Sequence, residues 1–520
     1  LRFDSLAAIM SVLVLGIGAL VLFYCAEYFH HHEGRIEKRL PSFAAELVAF
    51  SGAMFGLVVS DNMLLLYVFW ETTTVLSFLL VGHYAERATS RRAATQALLV
   101  TTFGGLAMLV GIIVLGNLSG TYLLSELIAA PPSGTAATIG IALVLVGALS
   151  KSAIVPLHFW LPGAMAAPTP VSAYLHAAAM VKAGVYLVAR MTPGFADTPL
   201  WRPMVVGLGL LTMLMAGWRA VREYDLKLIL AFGTVSQLGL ITIMVGAGGP
   251  DMMLAGLAML CAHAMFKAAL FMVVGVIDHA TGTRDIRKLA GLGRQHRPLL
   301  IIAVGATASM AALPPFFGFV AKEADLETVL HSPALAAAAP FVLAGIVIGS
   351  VFTTIYSLRF LWGAFADKGL DAPSVRVAEM HRPPVTFLLP PAILAAAGLV
   401  FGLWPAGVDA ALDDYAGTVP GPSDYHLALW HGFGVPLLLS VLILGVGTGL
   451  FFGRNRLPRT KLKYTPLGNA DRIYDEVMRG LDVAAVRLTA QTQRGSLPAT
   501  QSVILCTLVL LPVGALVMGA

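Results

Sequence analysis

Several charged and titratable side chains stand inside segments of this sequence that are otherwise apolar enough to lie in a bilayer. An ionisable side chain at mid-membrane costs about 2.5–3.5 kcal/mol even on the most lenient scale, so such a set is not incidental. These residues indicate a polar, hydrated path through a membrane protein. The set consists of Glu71, Lys151, Lys182, His263, Lys267 and Lys322.

Two pairs within this set predict proton exchange. Burial at low dielectric makes a lysine release its proton more readily, and a nearby carboxylate reverses that effect. Movement of Glu71 relative to Lys151 would therefore load or unload a proton. His263 and Lys267 stand at positions i and i+4, on one helical face, where a neutral imidazole accepts a proton or orients a water.

Each of these residues also has a purely structural interpretation. A membrane lysine near a helix end usually extends to the headgroups, and this applies most to Lys322, because the following KEADLE stretch is polar enough to end a helix. Glu71 follows Trp70, and a tryptophan beside a carboxylate is typical of the membrane surface. His263 has the alternative of a packing histidine.

The composition is that of a polytopic membrane protein. Hydrophobic residues make up 58% and charged residues 12% of the 520 positions, whereas a soluble domain has about 25% charged residues. The cysteines Cys25, Cys261 and Cys506 lie far apart, so we predict no disulfide framework, no metal site and no redox cofactor. The net charge of +5 lies in short loops, as membrane orientation requires, and does not indicate a nucleic-acid partner.

Apolar runs predict an all-α polytopic fold with about fourteen transmembrane helices of about 20 residues each. Lys and Arg are concentrated in alternate loops such as 280–297 and are absent from 117–136 and 405–427. This asymmetry predicts that 280–297 is cytoplasmic and 405–427 external. The predicted spans are 5–28, 43–60, 62–82, 93–116, 137–166, 171–192, 203–218, 226–247, 252–279, 298–330, 335–362, 385–404, 428–452 and 500–519.

Prolines interrupt two of the spans near a lysine: Pro156 and Pro162 follow Lys151, and Pro314 and Pro315 precede Lys322. Proline removes a backbone donor, which the membrane tolerates only where protein or water satisfies the exposed carbonyl. A pair of broken helices predicts inverted repeats around an ion path. The predicted parts are an amino-terminal helix in 1–42, five-helix repeats in 43–192 and 203–362, and carboxy-terminal helices in 385–520, with an amphipathic helix along the membrane surface at 471–494.

Long stretches of the chain resemble the A subunit of the Mrp-type multisubunit sodium/proton antiporters, itself similar to the large antiporter-like subunit of respiratory complex I. Complex I subunits share the lysines but differ at HATGTRD and HFWLPGAM, which favours the antiporter. The resemblance covers essentially all of the chain and implies that about two helices precede it and that a long extension follows residue 519. The matching stretches are VFWETTTVLSFLLVGHY, GALSKSAIVPLHFWLPGAMAAPTPVSAYLHAAAMVKAGVYLVAR, DLKLILAFGTVSQLGL, AHAMFKAALFMVVGVIDHATGTRDIRKLAGL and ALPPFFGFVAKE.

The resemblance implies a proton relay between the two broken helices. Glu71 corresponds to the acidic partner of Lys151 in the first broken helix. Lys227 and His263 correspond to the central connection, although Lys227 begins a span and has the headgroup interpretation as its alternative. The further relay lysines correspond, in order, to Lys182, Lys267 and the terminal Lys322.

The expected function is that of a secondary-transporter subunit in the cell membrane, not an enzyme, which moves protons in exchange for sodium. Its expected partners are the other subunits of the antiporter complex, H⁺, Na⁺ and the lipid bilayer. One alternative is a proton-pumping membrane subunit of an NADH:quinone oxidoreductase, which is driven by electron transfer. Another is a scaffold that only holds the ion-carrying subunits.

Overall fold

The computed structural model of the chain describes residues 1–29, 39–370, 372–453, 470–492 and 496–519. The chain divides into two compact units, Leu1–Thr460 and Lys461–Ala520. Within the described ranges the regular elements are helices, and the only bridges are two isolated ones, Asn62 with Leu123 and Asp225 with Asp285. The all-α class is therefore confirmed.

The first unit contains helices α1 to α21, and the second contains α22 and α23. The helices of the first unit are α1 Ser5–Ser11, α2 Ile17–Tyr28, α3 Leu40–Val59, α4 Met63–Val81, α5 Ala88–Ser119, α6 Leu124–Ala129, α7 Thr135–Lys151, α8 Trp160–Gly163, α9 Thr169–Leu175, α10 Met180–Phe195, α11 Gly209–Arg222, α12 Leu226–Gly246, α13 Pro250–Thr281, α14 Leu292–Gln295, α15 Arg297–Met310, α16 Phe317–Leu330, α17 Ala339–Phe365, α18 Val375–Ala378, α19 Val385–Leu403, α20 Pro405–Ala416 and α21 Val435–Gly453. Those of the second unit are α22 Ala470–Thr492 and α23 Leu497–Met518. Short π or 3₁₀ turns occupy Val12–Gly16, Ala164–Ala166, Pro203–Leu208 and Ala336–Ala338.

Twelve helical segments of the described residues are long and apolar enough to cross a membrane. The predicted spans 137–166 and 298–330 are not among them, because their helices α7 and α15 have only 17 and 14 residues. The multi-pass class is therefore confirmed, whereas the count of fourteen crossings and the division into two repeats stay predictions.

Three of the spans form the centre of the first unit. The most apolar 18 residues of the segment Thr169–Phe195, which contains α9 and α10, and those of Pro250–Thr281 are completely buried, and those of Leu226–Gly246 nearly so. Four residues of the predicted relay lie on these central helices: Lys182, Lys227, His263 and Lys267.

Both predicted breaks are present, and they share one backbone pattern. After α7, the amide of Ala153 donates to the Ser150 carbonyl and that of Ile154 to the Leu149 carbonyl. After α15, the amides of Ala312 and Leu313 donate to the carbonyls of Ser309 and Ala308 in the same way. Ala153 and Ala312 both adopt a left-handed backbone, with φ of 53° and 58°. The chain therefore leaves the two helices through the same turn.

A third break was not predicted. The span 171–192 was expected to be one helix, but the structure ends α9 at Leu175 and begins α10 at Met180. Residues 176–179 between them are buried, and the amide of Ala179 donates to the Tyr174 carbonyl. Because protein surrounds this stretch, its backbone does not face lipid, which is the condition for leaving a helix at membrane depth.

The second unit contains the predicted amphipathic segment 471–494. Helix α22 covers it as far as Thr492, and residues 493 and 494 lie outside the described residues. The apolar residues Ile473, Val477, Leu481 and Leu488 recur at helical spacing, which is typical of a helix that lies in the membrane interface. That location stays a prediction.

Candidate functional site

Lys151 is the last residue of α7, and its amine forms hydrogen bonds with residues of α4. Its Nζ donates to the Trp70 carbonyl at 2.7 Å and to the hydroxyls of Thr73 and Thr74 at 2.7 and 2.9 Å. The side chain is fully buried, and Nζ lies 4.9 Å from the centroid of the Trp70 ring. Three neutral oxygens and an aromatic face therefore take the place of water around this amine.

Glu71 lies beside this site without bonding to the amine. Within the described residues its Oε1 is buried and has no hydrogen-bond partner, and no ion pair within 4.0 Å joins it to Lys151. Helix α5 passes directly over it, since a Cβ added at Gly105 would lie 2.0 Å from Oε1. Glu71 and Lys151 are close enough for their charges to interact, as predicted, but they form neither a hydrogen bond nor an ion pair.

Lys182, His263 and Lys267 meet where the three central helices pack. Lys182 Nζ, on α10, donates to the Leu260 carbonyl of α13 at 3.0 Å. Lys267 Nζ, on α13, donates to the Leu230 carbonyl of α12 at 3.3 Å. Both ring nitrogens of His263 are buried without a hydrogen-bond partner among the described residues, and the charges of both lysines act on this ring.

Lys227 turns inward from the first turn of α12. Its Nζ donates to the Ala167 carbonyl at 2.8 Å, and the residue is only 1% exposed, so the headgroup interpretation does not hold for it. It also lines a cavity of about 560 Å³ together with Asp225, Asp278 and Arg284. Arg284 pairs with Asp225 at 3.2 Å and with Asp278 at 3.9 Å. The cavity connects the central helices with the loop that follows α13.

Lys322 lies within α16 and not at its end, because this helix continues to Leu330. The interpretation of KEADLE as a polar helix end is wrong: Lys322 is 5% exposed and Asp325 is not exposed at all. Lys322 Nζ lies 3.6 Å from Asp325 Oδ2, and neither group has a hydrogen-bond partner among the described residues.

Sequence reasoning missed two candidates. Asp325 was overlooked because its charged neighbours resemble a solvent-exposed turn. His176 is fully buried at the unpredicted break after α9, with both ring nitrogens unpartnered among the described residues, and the charge of Lys227 acts on it. For His176 the available signal was an ionisable residue within an apolar run, the criterion that found most of the other members.

The surroundings of the four buried lysines suit proton exchange better than they suit stabilisation of the fold by ion pairs. Lys151, Lys182, Lys227 and Lys267 are bound by carbonyl and hydroxyl oxygens, and within the described residues no carboxylate lies within 4.0 Å of any of them. A neutral acceptor does not fix a lysine in its charged form as a carboxylate does, because it adds no opposing charge. Each amine can therefore gain and lose a proton without leaving a buried counter-charge unpaired.

Comparison with known protein families gives two matches along the chain. Residues 60–353 match the family described as "NADH:quinone oxidoreductase/Mrp antiporter, TM". Residues 1–38 match the family described as "NADH-Ubiquinone oxidoreductase (complex I), chain 5 N-terminus". The first match includes every residue of the predicted relay.

Similar proteins and a solved structure agree with these matches. The chain is 41% identical over 495 residues to a probable K⁺/H⁺ antiporter A/B subunit of Rhizobium meliloti, a match that covers 92% of this chain and 48% of that protein. It is 39% identical to the A subunit of the Na⁺/H⁺ antiporter of Alkalihalophilus pseudofirmus, with coverage of 86% and 59%. A chain in the structure of the Mrp complex from Dietzia sp. superposes with a TM-score of 0.89 at 34% identity, over 99% of this chain and 55% of that one. The chain thus spans about half the length of the curated relatives that it matches.

Proposed function

The chain belongs to the NADH:quinone oxidoreductase/Mrp antiporter transmembrane family, and from that premise we propose that it is the proton-translocating part of a monovalent cation/proton antiporter subunit. The observation that carries the proposal is the set of fully buried lysines whose amines are held by neutral oxygens. We assign proton exchange to Lys151, Lys182, Lys227, His263, Lys267 and Lys322, and charge regulation of Lys151 to Glu71. As part of a transporter it catalyses no covalent reaction.

Sodium is the proposed exchanged cation, and potassium is the second candidate. The relative from Alkalihalophilus pseudofirmus is named as part of a Na⁺/H⁺ antiporter, whereas the one from Rhizobium meliloti is named as part of a probable K⁺/H⁺ antiporter. Everted vesicles that hold the whole complex separate the two ions: acid-loaded vesicles should lose their pH gradient on addition of Na⁺. Loss of the gradient with K⁺ alone would favour the second candidate.

The proposed partners are the other membrane subunits of an antiporter complex in the cell membrane. Both relatives are named as subunits, and the superposed structure is that of a complex. The alternative, a pumping subunit of an NADH:quinone oxidoreductase, predicts proton movement that depends on NADH. Vesicles with no electron donor but with an imposed pH gradient should nevertheless show cation-dependent proton flux if the antiporter assignment is correct.

Lys151→Arg in the whole complex tests whether this residue carries protons. Arginine keeps the positive charge but stays protonated, because its pKa lies above about 12. We expect the complex to assemble and the Na⁺-dependent proton flux to fall as far as in Lys151→Ala. Lys288→Arg, in the exposed loop after α13, is the matched control. Transport by Lys151→Arg at the wild-type rate would mean that Lys151 contributes only charge or packing.

A further inference from the structure

Among the four buried lysines that are held by neutral oxygens, Lys267 has the longest hydrogen bond. Its Nζ donates to the Leu230 carbonyl at 3.3 Å, and within the described residues this is the only hydrogen bond of the amine. An ammonium group has three donors, and the side chain is fully buried. Hydrogen bonds alone therefore do not replace the water that the charged amine loses on burial.

The aromatic ring of Tyr356, on α17, lies close to the same amine. Lys267 Nζ is 5.4 Å from the ring centroid, within the distance of about 6 Å at which a cation is attracted to an aromatic ring. Gly233 of α12 is close to both groups, because a Cβ added there would lie 2.8 Å from Lys267 Nζ and 3.0 Å from Tyr356 Cε2. The amine, the ring and the backbone of α12 therefore meet at one point between three helices.

A small buried network holds the ring of Tyr356 in place. The Tyr356 hydroxyl donates to Thr353 Oγ1 at 3.3 Å, and Gln237 Nε2 of α12 donates to the same oxygen at 3.1 Å. The Thr353 hydroxyl in turn donates to the Gly349 carbonyl at 3.1 Å. The side chains of Tyr356, Thr353 and Gln237 are at most 3% exposed. Because a buried polar group that loses its partner costs free energy, the network fixes where the ring lies.

Lys151 has an aromatic neighbour of the same kind, since its Nζ lies 4.9 Å from the centroid of the Trp70 ring. An aromatic ring attracts the protonated amine through its quadrupole and adds no opposing charge. A ring at this distance therefore favours the charged state of the amine, and the amine can still release its proton without leaving a carboxylate unpaired.

We propose that Tyr356 is a positioning residue of the relay: its ring sets the place and the charge state of the Lys267 amine, and Thr353 and Gln237 hold the ring there. The inference rests on the proposed antiporter function and extends it to a helix, α17, that carries none of the assigned relay residues. Among the described residues no carboxylate pairs with the Lys267 amine. The charge of Lys267 acts on His263, one turn earlier on α13, so a change at Tyr356 should reach the rest of the relay through this histidine.

The first test compares Tyr356→Leu with Tyr356→Phe in the whole complex, with the pH profile of Na⁺-dependent proton flux in everted vesicles as the readout. Leucine removes the ring, so the amine should hold its proton less tightly and the alkaline limb of the profile should move down by about one pH unit. Phenylalanine keeps the ring, and its profile should lie at the wild-type position with a lower maximal rate. Phe360→Leu removes a fully buried ring from the next turn of α17 and should leave the profile unshifted.

The second test keeps the shape of the side chain and so does not depend on the folding of Tyr356→Leu. Phenylalanine and trifluorophenylalanine are incorporated in place of Tyr356 by nonsense suppression. Fluorine withdraws negative charge from the face of the ring, so the fluorinated ring should attract the amine less. The alkaline limb of its pH profile should therefore lie below that of the phenylalanine protein, whereas a role of Tyr356 in packing alone predicts two identical profiles.

Identical profiles of the two phenylalanine proteins, or a Tyr356→Leu profile at the wild-type position, would overturn the inference. If flux is nevertheless lost in Lys151→Arg, the proposed function stands and only the role of Tyr356 is refuted. Normal flux in Lys151→Arg would instead count against the proposed function itself.

Discussion

At the scale of single residues, the oxygens around Lys151 set how easily its amine changes charge. Thr73 and Thr74 each accept one hydrogen bond from it, and a bond to a charged group contributes about 1.5–3 kcal/mol. The hydroxyls therefore favour the protonated amine without adding a charge. If Lys151 belongs to the proposed relay, neutral hydroxyls tune it, and a search for charged residues in the sequence does not find such groups.

Thr73→Val with Thr74→Val removes both hydroxyl acceptors while keeping the side-chain volume. We expect the complex to assemble and Na⁺-dependent proton flux to slow strongly, because the charged amine loses two of its three partners. Thr72→Val is the matched control, since Thr72 is exposed and its hydroxyl donates to the Val68 carbonyl of its own helix. Equal flux in the wild type, the double variant and Thr72→Val would indicate that the two hydroxyls do not tune Lys151.

Glu71→Gln tests the regulatory role of the carboxylate at the same site. Glutamine preserves the shape that packs under Gly105 but removes the charge that acts on Lys151. Assembly should match the wild type, whereas proton flux should be severely reduced. Glu86→Gln, in an exposed turn, controls for loss of a negative charge. If Glu71→Gln transports normally over the whole pH range, its charge has no part in loading Lys151.

At the scale of helices, close backbone contacts hold the breaks in place. A Cβ at Gly184 of α10 would lie 1.9 Å from the Ala148 carbonyl oxygen and 2.3 Å from the Ser152 hydroxyl. A Cβ at Gly318 of α16 would lie 1.9 Å from the Ser309 carbonyl oxygen. Gly184 thus lets α10 pack closely against the last turn of α7, and Gly318 lets α16 pack closely against the last turn of α15. These contacts hold in place the backbone that follows each of the two turns.

Gly184→Ala should separate α10 from α7 and weaken the bond from the Ser152 hydroxyl to the Val181 carbonyl, which is 2.8 Å long. Overpacking of this kind costs about 1–3 kcal/mol, so the purified complex should unfold at a lower temperature and transport more slowly. Gly207→Ala adds the same methyl group where nothing lies within 4 Å. Equal thermal stability of the two variants would show that α10 can move aside at no cost.

The helices also show what the sequence could and could not predict. Hydropathy located the spans, because apolar length is a local property, and prolines marked the breaks after Lys151 and Met310. The break at 176–179 has no proline or glycine and depends on complete burial among other helices. Asp325 is likewise buried on a helix, α16, that packs against the distant helices α13 and α19, so its local sequence favoured the wrong interpretation.

At the scale of the whole molecule, α13 separates two sets of loops. Its 32 residues extend about 48 Å, which exceeds the hydrocarbon thickness of about 30 Å. The segment that contains Gly421 packs at its start, because a Cβ at Gly421 would lie 3.0 Å from Pro250. The loop 282–291 directly follows its end. We therefore expect the two segments on opposite sides of the membrane, with the cavity at Lys227 beside the second of them.

Cysteine labelling checks this orientation, in which the positive loop charges lie inside. In a chain whose native cysteines are replaced, Lys288→Cys should react with a membrane-impermeant reagent only in everted vesicles, and Ser423→Cys only in intact cells. Both positions are exposed, so failure to react from one side reports the membrane barrier and not burial. Reaction of both from the same side would mean that α13 does not cross the bilayer. The cavity at Lys227 and the segment at the start of α13 would then face the same side, and the proposed relay could not carry protons across the membrane.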